Sequence, residues 1–273
     1  MKHQLKNITF GENNRMLKFT PEQIQSNWNQ LIKLIEDTFE GERKEKLLEM
    51  YKHFEDRMCL APASGTEHFH LCTPGGYVKH ILNIVHYSKE FYKIWKDNGA
   101  IVDNYTEEEL IFAAIHHDLG KVGDLNADHY IPNESEWHVK NQGKYYINNP
   151  ELQFMTPPDR GIWILNQFNI KITMNEMIGI KLTDGMYDEG NIQYLKAYAS
   201  EKKLKTNMPH ILHQADMATT RIEFEDWVRD NTKEEIKVQG SVKKIKEAVT
   251  MGETSKQLTQ KSKDLFDELF GDK

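Results

Sequence analysis

Between Thr106 and Lys121 the chain reads TEEELIFAAIHHDLGK. Thr106 and Glu109 form a capping box, in which the hydroxyl accepts from an amide three residues on and the carboxylate reaches back to the cap amide. The helix this opens, LIFAAIHH, is apolar on nearly every side. A helix without a polar stripe is stable only where other elements wrap it. Any fold of this chain therefore has Leu110–His117 at its centre. It must also bring His116, His117 and Asp118 into the interior at the end of that helix. Buried polar and charged groups are costly unless they pair or hold a cation.

The remaining segments supply the wrapping. Thr20-Pro21 reads as a cap and first helical residue, followed by Ile24, Trp28, Leu31, Ile35 and Phe39 on one helical face. Gly41 is expected to stop that helix. A second helix carries Leu47, Met50, Tyr51, Phe54 and Met58 and ends in the loop APASGTEHFHLCTPGG. A third, from Tyr77 to Trp95, turns Val78, Ile81, Leu82, Val85 and Tyr92 inward. Pro157-Pro158, Thr173 with Glu176, and Pro209 open three more. No strand of normal length and no internal repeat is visible, so the expected class is all-α. The expected organisation is an N-terminal arm and helical hairpin over 1–65, a main helical domain over 66–230, and a charged helical or flexible tail over 231–273.

Of the 273 residues, 38% are apolar and 28% charged. Lys plus Arg is 35 against 42 Asp plus Glu, a net charge of −7. That balance disfavours a global electrostatic grip on nucleic acid. Two cysteines, Cys59 and Cys72, cannot build a disulfide framework and fit a reducing compartment. The polar N-terminus and the absence of a long apolar run predict neither secretion nor a membrane span, and hence a cytoplasmic protein.

The chemistry gathers around His117-Asp118. An imidazole beside a carboxylate suits a divalent cation such as Mn²⁺, Fe²⁺, Zn²⁺ or Mg²⁺. Gly120 is expected to let the backbone turn sharply past the site. Two ligands do not make a centre. His80, one turn into the third helix, and Asp216, within HQAD of the last long helix, are further polar residues in apolar helical segments.

GGYVKH, AAIHHDLGK and HQAD in this order resemble the HD-domain metal-dependent phosphohydrolase superfamily, over roughly residues 66–230. The resemblance implies an HD-type helical bundle in which His80, His117, Asp118 and Asp216 clasp a catalytic metal. In dinuclear members a His before a short Gly motif and a later His-His pair hold a second metal. His138 to Gly143 resembles the first of these. The second place reads Lys181-Leu182-Thr183-Asp184-Gly185, without histidine, which favours a mononuclear centre with Asp184 as an alternative ligand.

The resemblance implies hydrolysis of a nucleotide phosphate ester or anhydride by a metal-activated water. Lys121 and Arg221 would offset phosphoryl charge, Asp118 would both ligate and orient the water, and His116, His138 and Asp184 compete as general acid. The same superfamily supports two other enzyme readings, a 3′–5′ exonuclease and a cyclic-nucleotide phosphodiesterase. A non-catalytic binding or regulatory module is the alternative from another class. Expected partners are a small nucleotide or phosphate ester, no membrane, and nucleic acid only under the exonuclease reading; a homo-oligomer stays open. The C-terminal LFDELFGDK resembles acidic-apolar peptides with which some bacteriophage replication proteins dock on a sliding clamp, although packing onto the body is the preferred reading. His3, His53, His129 and His210 read as structural, His68 and His70 as pocket-lining or loop residues with loop preferred, and His116 as either core or site.

Overall fold

The computed structural model describes residues 18–67 and 69–238, with side chains as far as residue 230. The expected arm before Lys18, His3, His68 and the clamp-like peptide lie outside the described residues. In chain order the helices are α1 (Pro21–Thr38), α2 (Gly41–Leu60), α3 (Gly76–Asp97), α4 (Glu107–His116), α5 (Glu136–Gln142), α6 (Pro157–Gln167), α7 (Met174–Lys181), α8 (Ile192–Leu195) and α9 (Met208–Val238). Two three-residue strands, β1 (Tyr130–Pro132) and β2 (Tyr146–Asn148), pair antiparallel with Ile131 opposite Ile147. They are too short to build a layer, and the chain is all-α among the described residues.

The segment that had to be central is central. Every residue of α4 from Leu110 to His116 is buried. The Thr106–Glu109 capping box forms in both directions, so the helix starts where the sequence sets it. α3 packs along one flank of α4 and α7 along another. The α1–α2 hairpin closes over it: Ile24, Trp28, Leu31, Ile35 and Phe39 are all buried, as are Leu47, Met50, Tyr51, Phe54 and Met58. Phe39 meets Phe112 edge to face, with 5.8 Å between ring centroids. On α3, Ile84 takes an innermost place while Leu82 stays half-buried. The hairpin thus shares one hydrophobic core with the helices after it. The chain divides into a unit ending at Phe224 and a second from Glu225. In the latter, Asp226 and Arg229 pair one turn apart on α9. No described helix is long and apolar enough to cross a membrane.

Two glycines play parts other than those expected. Gly41 does not stop α1, which ends at Thr38 on an extended Phe39; Gly41, with φ +55°, starts α2. Gly120 does not provide a turn through positive φ. It lies in a short 3₁₀ turn, Leu119–Val122, against which α6 packs. A Cβ there would stand 2.2 Å from the Pro157 carbonyl oxygen and 2.9 Å from the Arg160 Cβ. The glycine is required by close approach, and Arg160 seals the contact by donating to the Gly120 carbonyl at 3.1 Å. Gly120→Ala must push backbone against backbone, and a loss of about 3 kcal/mol is expected in urea unfolding, the upper end for overpacking. A change under about 0.5 kcal/mol would show that α6 moves aside freely.

Candidate metal centre

Three helices deliver the donors. His80 comes from the first turns of α3, His117 and Asp118 from the C-terminal end of α4, and Asp216 from α9. His80, His117 and Asp118 are buried, and one donor atom of each lies within 4.8 Å of the others. This buried group could hold a metal ion.

The hydrogen bonds decide which nitrogen faces the centre. His117 Nδ1 lies 2.8 Å from the Ala114 carbonyl oxygen. A carbonyl only accepts, so Nδ1 carries a proton, and in the neutral imidazole Nε2 is the nitrogen with the lone pair. His80 Nδ1 lies 3.0 Å from Glu223 Oε2 and donates to that carboxylate in the same way. Asn83 Nδ2 donates to the other oxygen, Oε1, at 2.9 Å, so Glu223 is held at both ends. Both Nε2 atoms are buried and without a hydrogen-bond partner.

Their spacing fits a shared cation. His80 Nε2 is 3.5 Å from Asp216 Oδ1 and 3.8 Å from Asp118 Oδ2. His117 Nε2 is 3.5 Å from Asp118 Oδ2. These separations are long for hydrogen bonds. Nitrogen and oxygen ligands about 2.1 Å from one divalent ion stand roughly 3–3.5 Å apart, close to what is found. A carboxylate behind a ligating imidazole, as Glu223 is behind His80, fixes the tautomer and raises ligand basicity.

The electrostatics are those of a cluster tuned for positive charge. Burial opposes charging of His80, but Glu223 and Asp216 outweigh it and push its pKa up to about 10, so without a cation Nε2 holds a proton that a bound metal would displace. Burial would raise the Asp118 carboxyl, yet Lys121, His117 and His80 hold it well below the usual carboxylate range. Lys121 Nζ sits 2.6 Å from Asp118 Oδ2 and donates to the Ala63 carbonyl at 3.2 Å. Its own pKa is raised because Asp118 outweighs burial. Asp216 is lowered, with His80 and His117 overcoming burial.

A cavity of about 510 Å³ opens beside the cluster, with Asp216, Asp184, His70 and Arg221 in its wall. Burial and the charges of Asp118 and Asp216 raise the Asp184 carboxyl. Arg221 is exposed there. Thr183, where the resemblance looks for histidine, is buried with its hydroxyl donating to the Gly179 carbonyl. His138 is on the exposed side of α5, its Nδ1 2.7 Å from Ser135 Oγ. No described contact joins it to the cluster. His116 is a core histidine: its Nδ1 donates to the Phe112 carbonyl at 2.7 Å, and burial drives its pKa down to about 3.

Glu223 and Asn83 were not singled out from the sequence. Glu223 follows Asp216 by two helical turns and so shares its face, a signal that was there to read. His70 belongs to the loop before α3 and also lines the cavity, the alternative set against the loop reading, with its ring 4.8 Å from that of His80. Glu223→Gln removes the charge behind His80 and sets two amide donors against each other at Asn83. Manganese affinity, measured by chelator competition, is expected to fall 10- to 100-fold. Unchanged affinity would remove Glu223 from the site.

The chain matches no protein-family model, no curated protein and no solved structure.

Proposed function

We propose that this protein is a metal-dependent phosphohydrolase that cleaves a phosphate ester or anhydride of a nucleotide. One observation carries the reading: two buried imidazoles have their Nδ1 atoms committed to acceptors, and their unpartnered Nε2 atoms converge with Asp118. Asp216 would complete the ligand set, as the HD-domain resemblance implies. Two imidazoles with two carboxylates suit Mn²⁺, Fe²⁺ or Zn²⁺, and Mg²⁺ less well. Such a cation, when bound, supplies a water of lowered pKa and polarises a phosphoryl oxygen.

The protein's own groups do the rest. Lys121 keeps a positive charge at the cluster and can offset charge on the equatorial phosphoryl oxygens. Arg221 offers a second cation from the cavity wall. As water oxygen bonds to phosphorus the ester P–O bond breaks, and the leaving oxygen takes a proton. Of the three acids considered, Asp184 alone lines the cavity: His116 lies in the core and His138 on the outer side of α5. The net charge of −7 fits a small substrate better than a polymer.

The test is metal content of the purified protein, then phosphate release from nucleoside mono- and triphosphates with added Mn²⁺. Near one metal per chain with turnover of one nucleotide class is expected. Metal without turnover of any nucleotide, oligonucleotide or cyclic nucleotide would overturn the catalytic reading in favour of a binding module.

A further inference from the structure

We infer that the cavity beside the cluster is a nucleobase pocket, in which Phe69 and Tyr187 recognise the base and Arg221 anchors the phosphate. This rests on the phosphohydrolase reading above and names how that site would select its substrate. The cavity's volume, about 510 Å³, lies in the range of sites that enclose one small molecule.

Its wall carries three kinds of chemistry. The first is the cluster itself, through Asp216, which lies 3.5 Å from His80. The second is cationic: Arg221 has no carboxylate partner among the described residues, although it stands on a wall that also holds Asp184 and Asp216. The third is aromatic. Phe69 is 56% exposed and Tyr187 75% exposed, and both line this cavity. They come from the loop before α3 and from the turn after α7, so the fold brings two large rings to one opening and leaves much of each in water. A further observation points to a ligand. His70 Nε2 is buried and unpartnered on the same wall, a donor or acceptor with no protein group to meet.

A nucleotide matches these three chemistries in one molecule. Its phosphate suits a cation pair formed by Arg221 and the metal, and its base suits aromatic surface. Stacking on an aromatic side chain strengthens binding of any base by roughly one order of magnitude or more. A sugar phosphate without a base would make no use of this exposed aromatic surface.

The test uses the full chain loaded with Mn²⁺, titrated calorimetrically with an uncleavable nucleoside 5′-phosphonate and with methylphosphonate, which lacks the base. The nucleoside phosphonate is expected to bind at least about 10-fold more tightly. Phe69→Ala and Tyr187→Ala should each remove most of that difference and leave methylphosphonate binding unchanged, whereas Arg221→Ala should weaken both ligands. Both rings are substantially exposed, so these variants retain the fold, which circular dichroism checks. Equal binding of the two ligands at normal manganese content overturns the base pocket and leaves the phosphohydrolase reading intact. Loss of manganese itself in the unmodified protein overturns both.

Discussion

His117→Ala is expected to lose metal binding and phosphate hydrolysis together, by at least about three orders of magnitude in kcat/KM, while helical content stays as it was. The reason lies in how little else His117 does. Its Nδ1 satisfies one carbonyl in the last turn of α4, and its Nε2 has no hydrogen-bond partner. Removing it exposes no unpaired charge. Asp118→Ala should be equally inactive but less informative, because Lys121 Nζ stands 2.6 Å from the lost oxygen. That variant leaves a half-buried ammonium without its partner, and breaking such a pair destabilises by about 3–5 kcal/mol when it is fully buried. Metal content by atomic absorption and the far-ultraviolet spectrum separate the two effects. Wild-type metal content or activity in His117→Ala would falsify the site assignment.

The contrast between Asp216 and Glu223 shows what could be read in the sequence and what could not. Asp216 stands in an apolar stretch, HILHQADMATT, where a carboxylate is conspicuous. Glu223 stands in RIEFEDWV among other charges and reads as one more solvated residue. Only the packing of α9 against α3, far apart in the sequence, buries it beside His80 and Asn83. Most of the longer helices were legible because their signals are local: Thr20, Thr106 and Thr173 each cap the helix that follows, and Pro157 stands in the first turn of α6. Gly120 was visible but misread. A glycine forced by an approaching carbonyl looks the same in sequence as one forced by a turn, and the carbonyl belongs to Pro157. For His138 the motif order pointed to the centre, whereas α5 exposes it to solvent, an outcome that depends on packing and not on the motif.

Phe112→Ala is expected to destabilise the protein by about 4 kcal/mol, in the range for a fully buried phenylalanine. Few residues tie so many elements to α4. The ring meets Phe39 of the hairpin edge to face, packs 4.3 Å from the His116 ring, and carries the Arg43 guanidinium 4.1 Å above its centroid. Arg43 in turn pairs with the buried Glu176 of α7, whose own carboxyl burial raises. Truncation leaves a cavity and loosens that cation over a buried carboxylate. The consequence reaches the centre, because α4 ends at His116 and delivers His117 and Asp118 directly after it. A cation that binds only the folded state adds stability as RT ln(1 + [L]/Kd), about 2.7 kcal/mol at one hundred times Kd. Saturating Mn²⁺ should therefore recover part of the loss in Phe112→Ala, as a rise in urea midpoint at unchanged slope. In the double variant Phe112→Ala/His117→Ala that recovery should vanish. Equal rescue of both variants by Mn²⁺ would mean that the ion binds somewhere other than the end of α4.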